Sequence, residues 1–300
     1  MANSLLTIDM ITRKALEIFE NNLVLTRNVN RQYDDSFAVE GAKIGSTLRI
    51  RLPDRALVTT GAALQVQDDN EQYTTLTVST QKHIGINYTS AELTLQLDDF
   101  AERVLKPRIS QLAASVDADV ANAYKSLYAS VGTPGTTPAT SLVLLQGQQK
   151  LNEMAAPMGQ RYATVGPAAN AGLVEGMKGF FNPTDIISKQ FRTGMMGSGI
   201  LNYDEINMSQ SIVPHTTGAF PTAPIVASTV TTQGQATLDI SFTNGSPTMK
   251  MGDVFTIGSV YAVNPQTRQS TGSLQQFVVT ADLNISATTT GTLAISPALY

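Results

Sequence analysis

At 300 residues the chain is long enough for two domains, or for one large domain with an insertion. It has no Cys, which excludes disulfides and thiolate metal sites, and its charged share of 15% lies well below the usual value of about 25%. A net charge of −4 argues against a surface built to grip nucleic acid, and the many Thr, Gln, Ser and Asn residues point instead to large polar interfaces.

The N-terminus mixes charge with apolar residues and is not a secretory signal, and no run of about 18 apolar residues offers a membrane span. Residues 4–22 read as an amphipathic helix, with Leu5, Ile8, Ile11, Ala15, Ile18 and Phe19 at helical spacing. Polar, aperiodic chain follows from Arg27 to Gly41, and the pair reads as an arm rather than a core element. Ile11 and Ile18 are its candidate contacts with a neighbour.

Residues 46–52 alternate, with Leu48, Ile50 and Leu52 on one side and Arg49 and Arg51 on the other, and Pro53 ends the strand. Residues 54–71 lack periodicity and close on Asp68, Asp69 and Glu71. Strands are expected at 73–79 and 83–89. The span 46–79 is then a hairpin with a long tip too poor in apolar residues to build its own core. A loop of that length in a compact domain is usually functional. Arg49, Arg51 and Arg55 at one end and Asp68, Asp69 and Glu71 at the other pair either within the hairpin or between chains.

Residues 97–131 carry the longest helical pattern, from Leu97 and Phe100 to Leu127 and Val131, with Pro107 expected to kink or restart it. A turn-rich linker, 132–138, leads to a helix at about 141–156, a strand at 161–167, a helix at 168–182 and a Gly- and Met-rich loop over 183–206. From about residue 225 the composition changes. Asp239, Lys250, Asp253, Arg268 and Asp282 are the charged residues there, and strands at 236–242, 253–258, 275–280 and 291–295 define an all-β module. No closing element follows, so the chain is expected to continue beyond residue 300.

The search for chemistry yields little. His83 and His215 have no metal-spaced partner and read as structural or surface residues. The stretch Gly41 to Ser46 lacks the spacing and the Lys of a phosphate loop and reads as a turn. Gly194, Gly197 and Gly199 read as a flexible loop. Asp98, Asp99 and Glu102 suit the positive end of a helix better than a catalytic pair, and Asp117 and Asp119 lie on different helix faces. Met177, Met195, Met196 and Met208 read as adaptable packing. No catalytic, cofactor-binding or metal site emerges, and the chain reads as a non-enzyme.

The run from Thr47 to Tyr128 resembles the central part of tailed-bacteriophage major capsid proteins, closest to the coat-protein group that carries an inserted β-rich domain. The shared features are the RIR-x-P strand, QKHIGINYT, EL-x-L-x-L-x-x-F, KPRISQLA and D-A-D, and the likeness extends over about residues 1–220. The resemblance implies an α+β, HK97-like capsid fold. Its parts would be an N-terminal arm (1–45), an extended loop (46–80), a peripheral domain (81–138) with a spine helix at 97–131, an axial domain (139–224) and an inserted β-rich domain (225–300). It also implies a shell of hexamers and pentamers of this chain, a scaffolding protein and a portal as partners, and packaged double-stranded DNA held without sequence-specific binding. No cofactor and no membrane are implied. The protein would be made in the host cytoplasm and reside in the virion. Two alternatives stay open: an encapsulin-like bacterial compartment shell, and a β-rich surface binding or adhesion protein.

Overall fold

A computed structural model of the chain describes residues 3–29, 46–52, 58–68, 71, 73–85, 101–177, 197–220, 223–230, 232–242, 247–285 and 290–299. The chain divides into two compact units, Met1–Asp117 and Ala118–Tyr300.

In the first unit, helix α1 (Asn3–Asn22) covers the span predicted as an amphipathic helix. Ile11, Ala15, Ile18 and Phe19, spaced one and two turns apart, pack against Ala101, Leu105 and Ile109. These three buried residues lie on a π turn, Ala101–Leu105, and on the start of helix α2, Lys106–Ala121. Pro107 stands at the second position of α2, where the π turn gives way to α-helix, and the helical run passes through it without a break.

The pattern predicted over 97–131 is helical for less of its length. Residues 97–100 lie outside the described residues. A 3-10 turn, Asn122–Ser126, follows α2, and Leu127 is already extended at φ −100° and ψ 122°. Leu127 and Val131 keep helical spacing but are exposed.

Strands β1 (Thr47–Arg51) and β2 (Tyr73–Thr77) pair antiparallel, from Thr47 opposite Thr77 to Arg51 opposite Tyr73. Of the strand expected at 83–89, residues 83–85 are coil and 86–89 lie outside the described residues.

The second unit holds two separately packed parts. The α/β part contains helix α3 (Ser141–Glu153), strand β3 (Tyr162–Val165), helix α4 (Pro167–Met177), and strands β4 (Gly197–Ile200) and β5 (Tyr203–Met208). The sheet order is β3-β5-β4, with β3 parallel and β4 antiparallel to β5. The loop expected over 183–206 is not a loop where its residues are described. Its described part from Gly197 onward forms two strands, and Gly197 and Gly199 lie in β4. Tyr203 and Ile206 of β5 meet Leu173 of α4 in a small core joined by Leu144, Val165 and Met177. Glycine is needed at position 176, because a side chain there would collide with the Ala139 carbonyl.

The β part holds a five-stranded sheet in the order β6-β7-β12-β10-β9, built from Ile225–Val226, Gln235–Ser241, Thr290–Leu299, Ser270–Val279 and Val254–Val263. Strands β8 (Thr248–Met249) and β11 (Leu283–Asn284) form a second, two-stranded sheet. Alternation sets the core: Leu238 and Ile240 of β7 and Leu293 and Ile295 of β12 point the same way and pack with Phe277 and Val279 of β10. The Phe255 and Phe277 rings stack with centroids 5.8 Å apart.

Candidate assembly surface

The β1–β2 hairpin is anchored at its base and open at its tip. At the base, Val78 N–H donates to the Ser46 carbonyl at 3.0 Å, and Lys82 Nζ donates to Ser115 of α2, to the carbonyl at 2.9 Å and to Oγ at 2.6 Å. Beyond it, every residue of β2 is exposed, and so is every residue from Val58 to Asp68. Val58, Leu64 and Val66 are 92%, 91% and 85% exposed, and no helix or strand forms among residues 58–68. Three such side chains standing in water on one irregular segment form a surface that association would bury.

The charged candidates divide. Arg49 and Arg51 project from the exposed face of β1 while Leu48 and Ile50 are half-buried, the alternation the sequence predicts for these four, whereas Leu52, expected beside Leu48 and Ile50, is exposed. The Arg49 guanidinium carbon lies 5.1 Å from the centre of the Tyr73 ring, a cation–π contact across the hairpin. Arg51 pairs with Glu71 at 3.3 Å within the chain, with the two side chains 80% and 62% exposed. Asp68 is exposed. Arg55 and Asp69 lie outside the described residues. An exposed pair of this kind contributes only about 0–1 kcal/mol. Arg51–Glu71 therefore does little to hold the hairpin shut. Ile11 and Ile18 are half-buried against the same chain's Ala101–Ile109 segment.

Two polar centres escaped sequence reading. The first is Asp117, almost fully buried on α2. It accepts hydrogen bonds from Val24 N at 2.9 Å, Leu25 N at 3.4 Å, Thr26 N at 3.0 Å and the Thr26 hydroxyl at 2.7 Å. Burial is the largest single influence on this carboxyl and pushes it up. The Thr26 hydroxyl and the three backbone N–H groups together outweigh burial and hold it below the ordinary carboxylate range. The donors sit 91 to 93 residues away in sequence, so no local spacing announces the site.

The second centre is His215. Its Nδ1 lies 3.0 Å from the Tyr124 hydroxyl and its Nε2 2.7 Å from Asp253 Oδ1. His83, by contrast, is exposed and borders a shallow cavity lined by Gln81, Lys82, Gln111 and Ser115. Among the described residues no group of three or more His, Asp or Glu side chains is placed to hold a metal ion. No described helix is long and apolar enough to cross a membrane.

Comparison with known families matches residues 1–299 to the family described as P22 coat protein, gene protein 5. The chain belongs to the P22 coat protein family and is a bacteriophage capsid protein, a structural class rather than an enzyme class. No curated protein matches it. A solved structure from Mycobacterium phage Che8 aligns over 91% of this chain and 86% of that one, at 12% identity and a TM-score of 0.46, a likeness too loose to define a fold.

Proposed function

We propose that this chain is the shell-forming subunit of a tailed-phage head, building closed icosahedral particles of hexamers and pentamers around double-stranded DNA. The observation that carries this reading is family membership over residues 1–299. In this reading the fold is HK97-like. Residues 1–45 are the arm, 46–80 the extended loop, 81–138 the peripheral domain, 139–224 the axial domain and 225–300 an inserted domain. The exposed hairpin supports the reading physically, because a lone two-stranded hairpin is at best marginally stable in water and this one carries apolar side chains on its tip. Arg49, Arg51, Arg55, Asp68, Asp69 and Glu71 then meet a neighbouring subunit. A net charge of −4 suits a container that encloses DNA without gripping it. A scaffolding protein and a portal are the further partners.

The test is to express the chain with its phage's scaffolding protein and examine the product by sedimentation and negative-stain microscopy. Closed shells of uniform diameter are expected. A product that sediments only as monomer under those conditions refutes the proposal.

A further inference from the structure

The β part of the second unit is tied to α3 and to the chain after α2 by hydrogen bonds, and the aliphatic stem of Lys125 packs over Gly252 beside one of them. The apolar clusters of the two parts share no residue among the described residues: Leu173, Tyr203 and Ile206 centre one, and Leu238, Phe277 and Leu293 belong to the other. Among the described residues, side-chain hydrogen bonds join the β part to the chain before it at three points. Tyr124 meets His215. Gln276 of β10 acts as a strand would toward Ser130, accepting from its backbone N–H at 3.1 Å and donating to its carbonyl at 3.0 Å. Asn264 donates to the Glu153 carbonyl at the end of α3, at 3.1 Å.

His215 belongs mechanically to the β side. It sits in the strap between β5 and β6, and that strap is bolted to the β8–β9 turn. Asp253 is buried and accepts from His215 Nε2, from Gly218 N at 3.0 Å and from Lys250 N at 2.8 Å. The strap's Ala219 carbonyl takes Thr248 N–H at 2.9 Å, and Gly218 lies so close to the Thr248 backbone that no side chain would fit there. At Gly252, with φ +100°, the chain turns so tightly that the Lys125 stem and the His215 ring close over it. In the neutral ring Nε2 carries the proton, because the carboxylate only accepts, and Nδ1 is left to accept the Tyr124 O–H. Each group thus has its partner.

A Tyr–His–Asp chain also has the outline of an activated nucleophile. That reading fails here. Burial first, and then the charge of Asp253, push the Tyr124 hydroxyl up, so it keeps its proton.

We infer that the β part is a separately cored body held in a polar seat, and that Tyr124–His215, Ser130–Gln276 and Glu153–Asn264 are a three-point latch from which it releases as a rigid body. Hydrogen bonds between side chains at a boundary exchange for hydrogen bonds to water at small cost, whereas the contacts of an apolar core do not. A cavity of about 380 Å³, lined in part by Lys125, Lys250 and Asp282, borders the His215 point. This inference rests on the geometry of the second unit and does not depend on the reading of the chain as a shell subunit.

Amide hydrogen exchange on the full chain tests it, with three N–H groups as reporters. Ser130 N–H donates to Gln276 across the seat. Gly218 N–H donates to Asp253 within the strap and its bolt, and Val279 N–H donates to the Asp253 carbonyl beside the β core. In a Tyr124→Phe, Asn264→Asp variant the Tyr124 hydroxyl and the Asn264 donor to Glu153 are gone, the acceptor that Gln266 and Thr267 N–H use in the β9–β10 turn is kept, and the Ser130 reporter is untouched. Ser130 exchange should rise about tenfold while Gly218 and Val279 stay within about twofold of wild type. Acceleration of all three together would mean one cooperative core and overturn the inference. An unchanged Ser130 rate would show that the removed contacts hold nothing and overturn it equally. Tyr124→Phe alone, which keeps the ring, should give the same order of effects at smaller amplitude and serves if the double variant folds poorly.

Discussion

The carboxylate of Asp117 takes both the backbone N–H and the hydroxyl of Thr26, at 3.0 and 2.7 Å. Together with the Val24 and Leu25 N–H groups, this fastens the chain just beyond α1 to α2, beside the apolar contact that Ile11 and Ile18 make with Leu105 and Ile109. The N-terminal helix is therefore held to its own chain at two points of different chemistry. Replacing Asp117 with Asn turns one acceptor into a donor facing donors, and should lower the unfolding free energy by about 1.5–3 kcal/mol in denaturant titrations.

The same site predicts a pH dependence. The folded carboxyl is held below its ordinary value of 3.8, so the stability it contributes is complete above that value and is lost as pH falls through the lower, folded one. Wild type and Asp117→Asn should therefore differ most near neutral pH and converge in acid. A gap between their denaturation midpoints that stays constant into acid would show that the carboxylate charge is irrelevant to the hold.

Ile11 and Ile18 were expected to face a neighbour. Their packing on Ala101, Leu105 and Ile109 means that aspartate at either position should weaken the isolated subunit as well as any shell. Losing the burial of each side chain costs up to about 1.5–3 kcal/mol, less for side chains that are only half-buried. Thermal unfolding of the unassembled chain should register the loss. An unaltered subunit with broken particles would restore the arm to a role wholly between chains.

What the sequence revealed followed from local periodicity. Helix α1 and the strands around Leu238, Phe277 and Leu293 announce themselves because their apolar residues recur at the spacing that buries one face. The helix predicted to reach Val131 stops early because spacing carries no information about the partner. The chain is extended from Leu127, and Ser130 pairs with Gln276, 146 residues away. Strand β5 was hidden for the opposite reason. Tyr203 and Ile206 face the core, but Asp204 and Glu205 stand between them and Asn207 is buried beside them, so no clean alternation survives. Asp117 and His215 were legible only as isolated residues, since their partners come from distant segments.

The tip of the hairpin offers a separation of folding from association. Leu64 and Val66 are 91% and 85% exposed, so aspartate at both positions removes no intrachain packing. Unfolding of the subunit should shift by no more than about 0.5 kcal/mol per site. If the tip docks on a neighbour, the same changes bury charge in an apolar contact, and particles should be absent or unstable. Intact particles with unchanged sedimentation would leave the tip without a role in association.

The charges beside the tip separate the two readings of the hairpin. Arg51 and Glu71 touch at 3.3 Å in one chain, but both are mostly in water, and such pairs are worth about 0–1 kcal/mol. Reversing Asp68, Asp69 and Glu71 to Lys therefore removes at most one weak described intrachain pair and leaves the β1–β2 register, set by backbone hydrogen bonds from Thr47 to Arg51, in place. Circular dichroism and the thermal midpoint of the unassembled chain should stay close to wild type. A shell repeats one contact many times, so a loss too small to detect in the subunit is multiplied in the particle. Assembly followed by light scattering should fail, or change its dependence on salt, because screening weakens exposed charge pairs and the new repulsions alike over about 8–10 Å. Subunit stability falling in step with assembly would show that these charges act within one chain. Normal particles at every salt concentration would remove them from the interface altogether.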